Sequence, residues 1–187
     1  MIAPHRLTRL TSFVAAAVVA VSAVLVVPDA AHADIRGVKW GVQLVNDGSR
    51  KCLDVRSEDG SNTSGARVQQ YKCKVPDGNQ AWYLEALGTG RYNIENIQSG
   101  QCLDVTGSST ADGAPTQQSY CSGAESQEWK IVKDGDFDWL VSANSDECLD
   151  VRDGSHADHA IVQQWPCNGS PAQRWYELII FGNETQD

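Results

Sequence analysis

An all-β domain built from three related units is what this sequence predicts, on three observations. One segment recurs three times at near-constant spacing, and short apolar runs alternate with turn residues. Between Asp34 and Asp187 no window sustains the roughly 3.6-residue apolar period of an amphipathic helix. The first copy of the segment reads Cys52-Leu53-Asp54-Val55, then Val68-Gln69-Gln70-Tyr71-Lys72-Cys73, then Asn79-Gln80-Ala81-Trp82. The second reads Cys102-Leu103-Asp104-Val105, Gln117-Gln118-Ser119-Tyr120-Cys121 and Ser126-Gln127-Glu128-Trp129. The third reads Cys148-Leu149-Asp150-Val151, Val162-Gln163-Gln164-Trp165-Pro166-Cys167 and Ala172-Gln173-Arg174-Trp175. The leading cysteines lie 50 and 46 residues apart, and the glutamines of Gln-x-Trp 47 and 46. A period of this length marks units that cannot bury an apolar face alone, so the three share one core. The units are expected at about 37–86, 87–133 and 134–181.

The first 33 of the 187 residues read as a secretory signal peptide rather than as part of the domain. Arg6 and Arg9 precede an Ala/Val-rich run from Thr11 to Val27, and Ala31-His32-Ala33 forms a small-x-small cleavage site. The run is shorter than the roughly 20 residues a membrane-spanning helix needs. Residues 34–187 then make one domain of 154 residues with 13 basic and 23 acidic side chains, a formal charge of −10. Such a surface repels phosphate backbones, which excludes nucleic acid as the expected partner.

In an exported chain the six cysteines point to disulfides. Three equivalent units most simply close three equivalent local loops, Cys52 to Cys73, Cys102 to Cys121 and Cys148 to Cys167. Each loop of about 20 residues contributes about 3 kcal/mol in the chain-entropy picture. Zinc would need close Cys-x-x-Cys or histidine spacing, which the chain lacks.

Taken in order, Val42 to Asn46 reads as a strand, Asp47-Gly48 as a turn and Cys52 to Val55 as the next strand. Tyr92 to Asn96 repeats the first strand in the second unit, and Trp139 to Asn144 repeats it in the third. Asp59 to Asn62 and Gly107 to Thr110 read as loops. Within Cys-Leu-Asp-Val the period of two sends Leu53 and Val55 to the core, so that Asp54 points outward beside the bridge. The tryptophan of each Gln-x-Trp belongs to the shared core, and three such segments around a pseudo-threefold axis would close a barrel without free edges. Ile179-Ile180-Phe181 is expected to close it.

In order and in triplicate, these motifs resemble the ricin B-type lectin family, also described as carbohydrate-binding module family thirteen, over about Trp40 to Leu178. The resemblance implies a β-trefoil of three lobes with one disulfide per lobe and a shallow sugar pocket on each. It implies that the aspartate of the first motif accepts hydrogen bonds from sugar hydroxyls and that an aromatic two residues before the second cysteine stacks on the pyranose. It implies further polar groups from the glutamine two residues before that aromatic, from the residue just ahead of Gln-x-Trp, usually asparagine, and from the motif glutamine. The chemistry is coherent, since a sugar offers a C–H face to an aromatic ring and hydroxyls to fixed acceptors and amides.

Carried over by position, the first lobe holds the whole set, Asp54, Gln69, Tyr71, Asn79 and Gln80. The third holds Asp150, Gln163, Trp165 and Gln173, with Ala172 in place of the asparagine. The second keeps Asp104 and Gln117 as weaker candidates, but Ser119 stands at the stacking position and Tyr120 is displaced by one residue, which on a strand is the opposite face. That lobe reads as mainly structural. His156 and His159 lie in the third lobe's loop, where they could touch a ligand of that lobe, but exposed loop histidines are more often bystanders and they read as such.

The expected protein is a secreted, monomeric, non-catalytic binder of galactose- or xylose-type glycans, without cofactor or metal. The rival is a secreted trefoil interaction protein, such as a protease inhibitor, with silent sugar sites. No Gly-x-Ser-x-Gly elbow or His-Glu-x-x-His motif argues for an enzyme. Asp134 to Asp138 alternates carboxylates, but Trp139 and Ser145 stand where a calcium loop needs glycine and an acidic ligand, so the segment reads as a solvated turn.

Overall fold

The computed structural model describes residues 39–75 and 77–181; the signal peptide expected at 1–33 lies outside them. Twelve strands carry the fold: β1 (Lys39–Asn46), β2 (Cys52–Val55), β3 (Val68–Tyr71), β4 (Trp82–Gly88), β5 (Arg91–Asn96), β6 (Cys102–Val105), β7 (Thr116–Ser119), β8 (Glu128–Asp134), β9 (Phe137–Ser142), β10 (Cys148–Val151), β11 (Val162–Trp165) and β12 (Trp175–Phe181). Short 3-10 turns interrupt them, and no α-helix occurs among the described residues.

Each repeat contributes four strands, and the outer two of each four build a closed ring. β1 pairs with β12 and β4, β4 with β5, β5 with β8, β8 with β9, and β9 with β12, all antiparallel. The inner two form the hairpins β2–β3, β6–β7 and β10–β11, which meet through the bridges Arg67 to Gln117, Gln69 to Ile161 and Pro115 to Gln163. Closure leaves the ring without an unpaired edge. This is the β-trefoil, with one disulfide per lobe: Cys52–Cys73, Cys102–Cys121 and Cys148–Cys167, at Cα separations of 5.0, 5.1 and 5.1 Å. The last strand closes the ring against β1 as expected, although Ile179 keeps 67% of its surface exposed.

The core follows the alternation within the repeats. Leu53, Val55, Leu103, Val105, Leu149 and the three motif tryptophans are fully buried. Each indole N–H also finds a partner, as a buried polar group must. Trp82, Trp129 and Trp175 donate to the backbone carbonyls of Leu53, Leu103 and Leu149 at 3.1, 3.1 and 3.0 Å. The tryptophan of each lobe therefore stitches its own Cys-Leu-Asp-Val strand to the ring.

Adjacent lobes are clamped by the second glutamine of each Gln-Gln pair. Gln70 donates to the carbonyls of Ser155 and Ala157, Gln118 to Ser61 and Thr63, and Gln164 to Ser109 and Ala111. The loop before the third strand of one lobe thus lies on the hairpin of the next. The loop of lobe three reaches lobe one, that of lobe one reaches lobe two, and that of lobe two reaches lobe three.

Candidate functional site

The hairpin β2–β3 sets Asp54 opposite Gln69 in antiparallel register, and the glutamine amide donates to Asp54 Oδ1 at 2.8 Å. Gln80, at the end of a 3-10 turn behind the strand, donates to Asp54 Oδ2 at 3.0 Å. Asp54 is buried rather than outward-pointing, with 5% of its surface exposed. Burial pushes its carboxyl above the usual aspartate range, and the amides of Gln69 and Gln80 pull the other way. A carboxylate has about four acceptor directions, so two amides leave capacity for ligand hydroxyls.

Asp54, Gln69, Tyr71 and Asn79 are brought together as expected, lining one pocket of 110 Å³. The Tyr71 ring is partly exposed, and Asn79 Oδ1 has no partner among the described residues. Gln80 does not join them. It is fully buried, its amide also donates to the Lys72 carbonyl and its oxygen accepts the Lys74 N–H at 2.8 Å. It orients Asp54 and the loop after Cys73 instead of offering itself to a ligand.

The third lobe repeats the plan on β10–β11. Gln163 donates to Asp150 Oδ1 at 3.0 Å, and burial raises the Asp150 carboxyl against the pull of Gln163 and Gln173. Asp150, Gln163 and Trp165 line a cleft of 740 Å³, with His156 and Asn168 also on its walls. The Trp165 indole is 40% exposed. Gln173, expected among the contacts, is fully buried like Gln80, donating to the Pro166 carbonyl and accepting from the Asn168 N–H.

In the second lobe Gln117 donates to Asp104 Oδ2 at 3.1 Å, but Ser119 holds the register position that Tyr71 and Trp165 hold in the other lobes. Ser119 lies beside Ser64 at 3.4 Å, Ser126 is buried against Ser108, and Tyr120 is 71% exposed beyond the end of β7.

His159 is the residue that the order of the chain concealed. It comes from the third lobe yet lines the first-lobe pocket, with Nδ1 3.2 Å from Gln69 Oε1 and its ring 4.8 Å from that of Tyr71. Aligning the repeats on Val68, Thr116 and Val162 would have found it, since Gly65 and Gly113 occupy the matching positions. Lys74 was also missed; its Nζ lies 4.7 Å from the Tyr71 ring centre. Among the described residues no group of three or more His, Cys, Asp or Glu side chains is placed to hold a metal. Asp134 to Phe137 forms the β8–β9 turn, and the Asp138 carboxylate engages Lys133 at 2.8 Å.

A buried acceptor, a partly exposed aromatic ring and an unpaired amide oxygen thus share one pocket of the β-trefoil, the mixed polar and aromatic lining that suits a carbohydrate. The chain belongs to the family described as ricin-type beta-trefoil lectin domain-like, whose model matches residues 34–106, 78–165 and 139–186. Among solved structures, the designed three-fold symmetric protein ThreeFoil is 38% identical with a TM-score of 0.72, over 75% of this chain and 99% of that one. An exo-β-1,3-galactanase from Clostridium thermocellum is 34% identical with a TM-score of 0.71, over 75% of this chain but only 30% of that one. The Macrolepiota procera ricin B-like lectin, solved with lactose, shares the fold at 20% identity and a TM-score of 0.62, over 73% of this chain and 93% of that one. No curated protein matches the chain.

Proposed function

We propose that this protein is a secreted lectin that binds galactose- or xylose-type glycans, without cleaving them, through shallow pockets on its first and third lobes. The observation that carries the reading is the convergence of Asp54, Tyr71 and Asn79 on one pocket, with Asp150 and Trp165 repeating the acceptor and aromatic elsewhere. A trefoil scaffold has no need of an exposed aromatic beside a buried carboxylate. Likeness to part of a galactanase favours galactose-type ligands. The three local disulfides suit an oxidising, extracellular setting.

A binding role without hydrolysis is favoured by how the motif carboxylates are engaged, although Glu58 shares the pocket of Asp54, and Asp112 and Asp153 share the cleft of Asp150. Hydrolysis takes two carboxyl groups flanking one glycosidic bond. Asp54, Asp104 and Asp150 stand on three different hairpins, each held as an acceptor by a glutamine amide.

Two competent lobes on one rigid body would engage a polymer together and exceed the affinity of either alone. The test is a glycan array of galactosides, xylans and arabinogalactans probed with the oxidised protein and with Tyr71→Ala and Trp165→Ala. Signals weakened by each change and lost in the double variant support the reading. A blank array from folded protein would move the assignment to a trefoil that binds proteins, such as a protease inhibitor.

A further inference from the structure

The loop position occupied by Gly65, Gly113 and His159 has the same backbone task in all three lobes. Its N–H donates to the neighbouring lobe, Gly65 to the Gln118 carbonyl at 2.8 Å, Gly113 to Gln164 at 2.9 Å and His159 to Gln70 at 3.0 Å. That task takes a left-handed backbone, with φ of 92°, 76° and 65° respectively. Glycine adopts it freely, whereas a side chain is strained there. Two lobes use glycine and one uses histidine, so the scaffold does not require the imidazole, and an outlier of this kind points to a use.

The use is visible in what the ring touches. At Gly113 an added Cβ would stand 3.4 Å from Trp165 Cζ3 and 3.6 Å from Gln163 Oε1. In the first lobe the histidine fills the corresponding space, against Tyr71 and Gln69 Oε1. Gln69 spends its amide on Asp54, so its oxygen faces His159 and the network places a proton on Nδ1. His159 Nε2 has no hydrogen-bond partner among the described residues. The first-lobe pocket is 110 Å³; the third-lobe cleft, with Gly113 in place of the histidine and Ala172 in place of Asn79, is 740 Å³.

We infer that the first-lobe pocket is a composite site in which His159, delivered by the third lobe, selects a single terminal sugar residue, while the third-lobe cleft admits the interior of a glycan chain. The inference rests on the sugar-binding reading and deepens it. His159 walls the small pocket beside Tyr71 and Gln69, leaving room for one residue rather than a continuing chain, and its free nitrogen supplies a polar contact to the residue bound there. The two sites then divide the labour on one polymer, one taking chain ends and the other internal stretches.

The test isolates the first lobe with Trp165→Ala and titrates it with methyl β-galactoside, methyl β-xyloside and the corresponding β-linked tetrasaccharides. The expected result is binding of one monosaccharide, with its tetrasaccharide held no more tightly. Adding His159→Gly, which gives the backbone its preferred residue, should leave the melting temperature unchanged or higher. It should weaken the monosaccharide about tenfold and shift preference toward the tetrasaccharide. Monosaccharide affinity and preference that stay within about twofold in His159→Gly, while Tyr71→Ala abolishes binding, overturn the composite site and leave the lectin reading standing. Absence of any Tyr71-dependent binding to the Trp165→Ala protein overturns both.

Discussion

The Gln80 amide donates to Asp54 Oδ2 at 3.0 Å while its oxygen accepts the Lys74 N–H at 2.8 Å, so one fully buried side chain fixes both the pocket floor and the loop beside Tyr71. Gln80→Ala should therefore cost about 2–4 kcal/mol of stability as well as weakening binding. Asp54→Ala carries a structural cost too, about 1–3 kcal/mol, because it strands the amides of Gln69 and Gln80. Denaturant melts of the two variants beside the parent check both figures.

Tyr71→Ala separates binding from folding. The ring is partly exposed, with Lys74 and His159 as its aromatic-face neighbours, so its removal should change stability by no more than about 1 kcal/mol. First-lobe affinity should fall tenfold or more, on the order of 1.4 kcal/mol, in a calorimetric titration.

Binding should weaken on acidification at a higher pH than an ordinary aspartate would dictate. Burial raises the Asp54 and Asp150 carboxyls, and a protonated carboxyl has lost acceptor capacity for sugar hydroxyls. Affinity measured from about pH 7 down to about pH 4 should decline smoothly in both the Tyr71→Ala and Trp165→Ala backgrounds, each of which reports the other lobe.

Stability should show a separate pH dependence from the contact between lobes two and three. Burial, followed by the hydrogen bond and charge of Asp112, pushes Glu147 up to about 7. The folded chain thus holds a proton that the unfolded chain has released. The stabilisation is complete below the ordinary glutamate range and is lost as pH rises toward 7. At the matching contact between lobes three and one, Lys51 meets Asp158 at 2.5 Å. Glu147→Lys should imitate it, flattening the fall and raising stability at about pH 8 by about 1–2 kcal/mol. Thermal melts across pH decide this.

Each disulfide should contribute about 3 kcal/mol through the loop it closes. Replacing the Cys102–Cys121 pair by serines should lower the melting temperature without changing first-lobe affinity, because neither cysteine lines that pocket.

The trefoil was legible because three copies of one pattern repeat the same instructions: a cysteine, a leucine and valine for the core, and a tryptophan to hold them. Asp54, Tyr71 and Asn79 were legible because they are local to one repeat. Gln80 and Gln173 were misplaced because a motif position does not reveal whether an amide faces a ligand or the back of a carboxylate; burial decides that. His159 was hidden for a different reason. The clamps made by Gln70, Gln118 and Gln164 carry each loop onto the next lobe, so proximity along the chain pointed to the wrong pocket.

The most direct measurement is a backbone amide NMR titration of the disulfide-intact protein with the sugar selected on the array. The account predicts shift changes confined to two clusters, one around Asp54, Gln69, Tyr71 and Asn79, the other around Asp150, Gln163 and Trp165, with residues 116–120 of the second lobe silent. Saturating sugar that leaves both clusters unmoved, or moves only the second lobe, would contradict it.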